Sequence, residues 1–131
     1  GREAVDFMLT KSIQRIKDRG VREEDILARY SDIEFILMLE GAPLKRAKRI
    51  AERLLELFDN KPFYYFNDYL RPTLSIGLAE TKPTMKNAVD LFKEADFGLY
   101  ESKKLGGNRS TVYGAASFDT VDKDTDPYRT Q

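Results

Sequence analysis

Two short stretches hold most of the groups in this sequence that could do chemistry: Arg22-Glu23-Glu24-Asp25, and Ser31-Asp32-Ile33-Glu34-Phe35 a few residues later. No histidine and no cysteine occurs in the 131 residues. Imidazole acid–base chemistry, thiolate nucleophiles, disulfides and histidine or cysteine metal sites are therefore excluded. Carboxylates, lysine and tyrosine remain as groups for catalysis, and arginine for binding. An R-x-x-D pattern by itself describes a solvated turn with an ordinary surface ion pair. Its meaning depends on the elements that hold it.

Acidic and basic residues balance at 22 each, so no global field draws the chain to nucleic acid or an anionic membrane, and any anion site must be local. With 41% hydrophobic residues the length suits one core rather than two domains. The longest apolar run, Phe35 to Leu39, falls far short of the ~20 residues of a spanning helix, and no signal peptide is visible, so a cytoplasmic location is expected.

Val5, Met8, Leu9, Ile13 and Ile16 recur at helical spacing from Ala4 to about Arg19, where Gly20 supplies a stop. Asp25–Tyr30 and Ile33–Leu39 are expected to be strands joined at Ser31-Asp32, the second apolar enough on both faces to be covered on both sides. Pro43 can open a second helix whose apolar face runs from Leu44 to Phe58, with Lys45, Arg46, Lys48, Arg49, Glu52 and Arg53 outward. Phe63–Phe66 and Thr73–Ala79 suggest another hairpin turning at Asn67-Asp68, and Phe63–Phe66 is taken as a half-buried strand rather than a base-stacking platform. A third helix from about Met85 to Lys104 is expected to bury Val89, Leu91, Phe92, Ala95, Leu99 and Tyr100 and to end at Gly106-Gly107, before a closing strand, Arg109–Tyr113. Helices alternating with hairpins over one core give an α+β expectation: a mostly antiparallel central sheet flanked by helices, in a domain over residues 1–113. Residues 114–131 can bury little and are expected to be a flexible tail, whose Asp119, Asp122, Asp124 and Asp126 lack the pattern of a calcium loop.

The order of these elements and several strings together resemble the GGDEF family, whose active members join two GTP molecules into cyclic di-GMP as a dimer. Gly1-Arg2-Glu3-Ala4-Val5-Asp6 is similar to the family's G-H-x-x-G-D, and Ala28-Arg29-Tyr30-Ser31-Asp32-Ile33-Glu34-Phe35 stands where the family writes A-R-Y-G-G-D-E-F. Ile50-Ala51-Glu52-Arg53, Thr73-Leu74-Ser75-Ile76-Gly77 and the run from Ala95 to Lys103 followed by Gly106-Gly107-Asn108-Arg109 resemble three further family strings. The resemblance implies a nucleotidyl-cyclase-like fold in a bacterial signalling protein, with a first strand and helix that would precede Gly1.

The departures from the family bear on function. By resemblance the third letter of the signature supplies a carboxylate to Mg²⁺, and here it is Ile33, which has no lone pair to offer. Ser31 and Asp32 replace the two glycines that let backbone approach the nucleotide, and Gly107 stands in the place of a phosphate-gripping arginine. Asp6, Glu34 and Lys103 remain as residual GTP-site positions. A one-residue slide of Asp32 into the role of Ile33 would need a bulge. No metal and no cofactor is expected, Mg²⁺ entering only with residual cyclase activity.

Arg22 and Asp25 resemble the family's R-x-x-D inhibitory site, and Arg53 falls on the position that completes it from the neighbouring helix. Forked guanidinium groups can donate to guanine O6 and N7 or to phosphate, and a carboxylate can accept from guanine N1–H. Val21 and Ile26 are expected to give this site a rigid mount. The expectation is a catalytically inactive domain that binds cyclic di-GMP through Arg22, Asp25 and Arg53 and signals to a second copy or a fused partner domain. The alternatives are a weak diguanylate cyclase using Asp32 and a ligand-free dimerisation module.

Overall fold

The computed structural model describes residues 1–114, and the tail expected beyond that point lies outside the described residues. Helix α1 spans Arg2–Arg19 and buries Leu9, Ser12 and Ile16. Gly20 ends it with an ordinary negative φ, so the glycine is not there for a left-handed turn. A Cβ at this position would stand 2.3 Å from Leu54 Cδ2, so close approach to the next helix is what selects glycine.

Strands β1 (Ile26–Arg29) and β2 (Phe35–Met38) pair antiparallel with Ile26 opposite Met38 and Arg29 opposite Phe35. The ladder therefore starts later on its second strand than the apolar pattern predicts. Ile33 belongs to the turn, because the polar residues around it satisfy the backbone outside the ladder. The Tyr30 and Ser31 N–H groups both donate to Glu34 O, and Arg29 donates to the Ser31 and Asp32 carbonyls at 3.0 and 2.8 Å. β2 is half-buried, with Met38 exposed, rather than covered on both faces.

Helix α2 (Leu44–Phe58) follows Pro43, and the Glu80 carboxylate accepts from the Leu44 N–H at 3.0 Å, supplying the cap that proline cannot. Ile50, Leu54, Leu57 and Phe58 of α2, Ile16 of α1 and Phe63 form the main core. Strand β3 (Phe63–Tyr65) pairs antiparallel with β4 (Asp68–Leu70), so the expected partner Thr73–Ala79 is displaced by a nearer one. The two-residue turn at Phe66-Asn67 puts Phe66 at φ 53°, a conformation that bulky residues rarely adopt and that no propensity argument anticipates.

β5 (Ser75–Leu78) pairs parallel with β6 (Arg109–Val112) across helix α3 (Ala88–Lys104). The class is α+β, as the alternation of elements implies, with the described strands pairing two by two in two antiparallel ladders and one parallel one. α3 begins three residues later than its periodicity suggests, because the Asn87 side chain caps it by accepting from the Val89 and Asp90 N–H groups. Its buried residues are Phe97, Gly98, Glu101 and Ser102, while Val89 is exposed. The buried face is rotated because backbone meets backbone: a Cβ on Gly77 would lie 2.0 Å from Ala95 O, and one on Gly98 2.8 Å from Thr111 O. Ser102 donates to the Ile76 carbonyl and shares a hydrogen bond with the Thr111 hydroxyl, each at 2.7 Å, tying α3 to both strands. No helix among the described residues is long and apolar enough to cross a membrane.

Candidate functional site

The segment between α1 and β1 closes on itself. The Asp25 N–H donates to Arg22 O at 3.1 Å, and the Arg22 N–H donates back to Asp25 Oδ2 at 2.9 Å. This is the reciprocal logic of a capping box applied to a four-residue turn. The Arg22 guanidinium folds onto the same carboxylate, Nη2 donating to Oδ1 at 3.0 Å and Nε to Oδ2 at 3.5 Å. It also reaches Glu40 O at 3.4 Å and Glu24 Oε1 at 3.3 Å.

The Asp25 side chain is wholly covered, whereas Arg22 keeps 31% of its side chain exposed. Burial pushes the Asp25 carboxyl upward, but the hydrogen bonds from the Arg22 side chain and backbone, with the charges of Arg22 and Arg46, outweigh it and hold the pKa below the usual aspartate value. Arg22 in turn is raised, first by its hydrogen bond to Asp25.

Arg53 stands on the outward face of α2 and donates to Gly20 O at 3.5 Å. The close packing of Gly20 on Leu54 thus brings Arg53 to the residue that leads into the Arg22 turn. An open depression of about 530 Å³ lies beside that turn, lined by Lys17, Arg22 and Glu23 on its polar side and by Val21, Ile26 and Leu27 on its apolar side, with Asp25 also on its wall. Arg53 does not line it. Val21 and Leu27 pack against the core and mount the turn. Ile26 does not share in this, being 57% exposed, because its alternate position on β1 faces outward. Lys17 and Arg46 were not singled out by sequence. One signal was the run of basic residues closing α1; the other required knowing that α2 crosses near Asp25.

At the opposite end of the β1–β2 ladder, Asp32 and Ile33 are exposed at the hairpin tip, Ile33 by 66%. Glu34 faces α3 and lies 3.8 Å from the Lys103 ammonium. Asp96 of α3 joins this group: its carboxyl is raised by burial first and by the Glu34 charge second, with Lys103 opposing. Its position in the string from Ala95 to Lys103 was visible, but no role was attached to it. Asp6 is exposed on α1 and makes no ion pair with Lys103. The structure therefore joins Glu34 to Lys103 and leaves Asp6 apart from that pair.

The end of α3 accounts for Gly107. Gly107 N–H donates to Ser102 O at 2.9 Å and Gly106 N–H to Lys103 O at 3.1 Å, the two bonds of a Schellman stop, with both glycines at positive φ. Arg109 folds back to donate to Gly107 O at 3.1 Å. The donors around the hairpin tip do not fit a divalent ion. Ile33 offers an alkyl group and Glu34 is turned to a lysine, and no three acidic side chains among the described residues gather as a metal would require.

With this geometry in place, comparison with known proteins defines the class. The family model described as "Diguanylate cyclase, GGDEF domain" matches residues 1–109, and the chain belongs to the GGDEF domain family. Diguanylate cyclase A of Treponema denticola is 34% identical over 112 residues, which is 86% of this chain and 30% of that protein. The response regulator PleD of Caulobacter vibrioides is 32% identical over 119 residues, 89% of this chain and 26% of PleD. The chain thus spans about a third or less of the length of these relatives. Among solved structures, an EAL/GGDEF domain protein from M. capsulatus superposes with a TM-score of 0.75 at 24% identity, covering 86% of this chain and 72% of that one, a likeness of fold.

Proposed function

We propose that this GGDEF domain is a non-catalytic receptor for cyclic di-GMP, with Arg22, Asp25 and Arg53 as its binding groups. The observation that carries this reading is the Arg22 turn: a guanidinium held in one orientation by a covered carboxylate, facing an open depression. The relatives' names supply the ligand class, a product built from two guanine nucleotides. Lys17 adds a second cation to the depression, and the exposed Ile26 offers a purine an apolar contact. In the state described, Asp25 acts through Arg22, holding the guanidinium that meets the ligand. Occupancy then acts on a partner domain or a second copy to the extent that one arrangement binds better than the other.

Loss of turnover rests on Ile33 and on the pairing of Glu34 with Lys103, which weaken the hairpin tip as a holder of the divalent ions that would neutralise a triphosphate. Isothermal titration with cyclic di-GMP is expected to show binding by the wild type and a loss on the order of 100-fold in Arg22→Ala, the worth of charge-assisted hydrogen bonds to one arginine. Indistinguishable heats in the two proteins would overturn the reading. Cyclic di-GMP formed from GTP with Mg²⁺ or Mn²⁺, and abolished by Asp32→Ala, would favour the weak cyclase instead.

A further inference from the structure

Arg22 is almost fully engaged before any ligand arrives. A guanidinium has five N–H donors. Nε and Nη2 are committed to Asp25, and Nη2 also to the Glu40 carbonyl. Nη1 faces Glu24 at 3.3 Å. These partners differ in how readily they yield. Asp25 is covered and closes the turn through backbone hydrogen bonds, and Glu40 contributes a main-chain oxygen. Glu24 is 59% exposed and holds its place by this ion pair alone among the described contacts. It is also the only one of the three that an incoming anion can replace without unmaking the turn.

We infer that Glu24 is an internal competitor for the site: its carboxylate occupies the Nη1 edge of Arg22 that a phosphate of a cyclic dinucleotide would take, and so sets the affinity. The inference rests on the receptor reading and adds the residue that tunes it. A water-exposed ion pair is weak, which bounds the effect at roughly fivefold. The competitor is a carboxylate facing an exposed cation, so added salt weakens its hold. Glu23 supplies the internal control. It carries the same charge one residue away, lines the depression where Glu24 does not, and forms no ion pair with Arg22.

The test is calorimetric titration of cyclic di-GMP into the wild type, Glu24→Gln, Glu23→Gln and Arg22→Ala. Glu24→Gln is expected to bind about two- to fivefold more tightly than wild type at low salt, with the gain shrinking at high salt and the unfolding temperature unchanged. Glu23→Gln is expected to give a clearly smaller gain. Binding by Glu24→Gln where the wild type shows none supports the inference equally, the ion pair then holding the site shut. Equal gains in the two glutamine variants would reduce the effect to a general field and overturn the inference, as would no gain in Glu24→Gln. In both of those cases the receptor reading stands if Arg22→Ala has lost binding. Absence of binding in wild type and Glu24→Gln alike overturns both.

Discussion

The β1–β2 hairpin carries a candidate site at each end, and the two ends have been treated differently. At the Arg22 end the two signature charges answer each other: a covered aspartate, a forked arginine and two hydrogen bonds from backbone N–H groups form one closed turn. At the Ile33 end the tip is exposed hydrocarbon and polar turn, and Glu34 meets Lys103 only at 3.8 Å. A binding group needs orientation, which the first end supplies. A metal site needs several converging lone pairs, and among the described residues no group of three acidic side chains gathers at the second end.

The largest expected effect separates the ends through their supports. Gly77→Ala forces a Cβ into the α3 backbone, 2.0 Å from Ala95 O, and should cost about 3 kcal/mol in urea denaturation. Because the damage lies beneath α3, the folded molecules should keep wild-type affinity for cyclic di-GMP. A loss of affinity as large as the loss of stability would show that the two ends are one mechanical unit.

Next comes acid. The Asp25 pKa lies below its unfolded value, so the stabilisation it provides is present above the unfolded pKa and is lost as pH falls through the folded one. Stability of the wild type should therefore drop below about pH 4, and Asp25→Asn should be less stable at pH 7 yet flatter through that window. Parallel curves for the two proteins would mean the Arg22 turn contributes no pH-linked stability. The smallest effect is expected from Ile33→Asp. At so exposed a position the change in stability should stay within about 0.5 kcal/mol, showing that the tip tolerates the missing acid and that packing did not select isoleucine.

Much of this architecture could be read from the chain, because periodicity and stop signals act locally. The three helices, the first hairpin and the closing strand lie close to where apolar spacing, Pro43 and Gly106-Gly107 put them. What escaped was set by side-chain bonds and backbone contacts that hydropathy does not display. Ile33 looks like strand because it is β-branched, yet Arg29 ties up the carbonyls beside it. Phe66 looks like strand for the same kind of reason and instead forms a turn, 89% exposed. The face of α3 was misjudged because the Gly77–Gly98 approach, invisible in hydropathy, brings Glu101 inside. At the site, the R-x-x-D spacing revealed Arg22 and Asp25, whose bonds are local. The contribution of Arg46 arises from α2 passing near Asp25 and that of Asp96 from the hairpin meeting α3, which one sequence does not display.

The most direct test of the difference between the two ends is a backbone amide NMR titration with cyclic di-GMP. The account predicts shifts concentrated at Gly20 through Leu27 and around Arg53, with Tyr30 through Glu34 and Lys103 left where they were. Shifts centred on Tyr30 through Glu34 and Lys103, with the Arg22 turn silent, would contradict it.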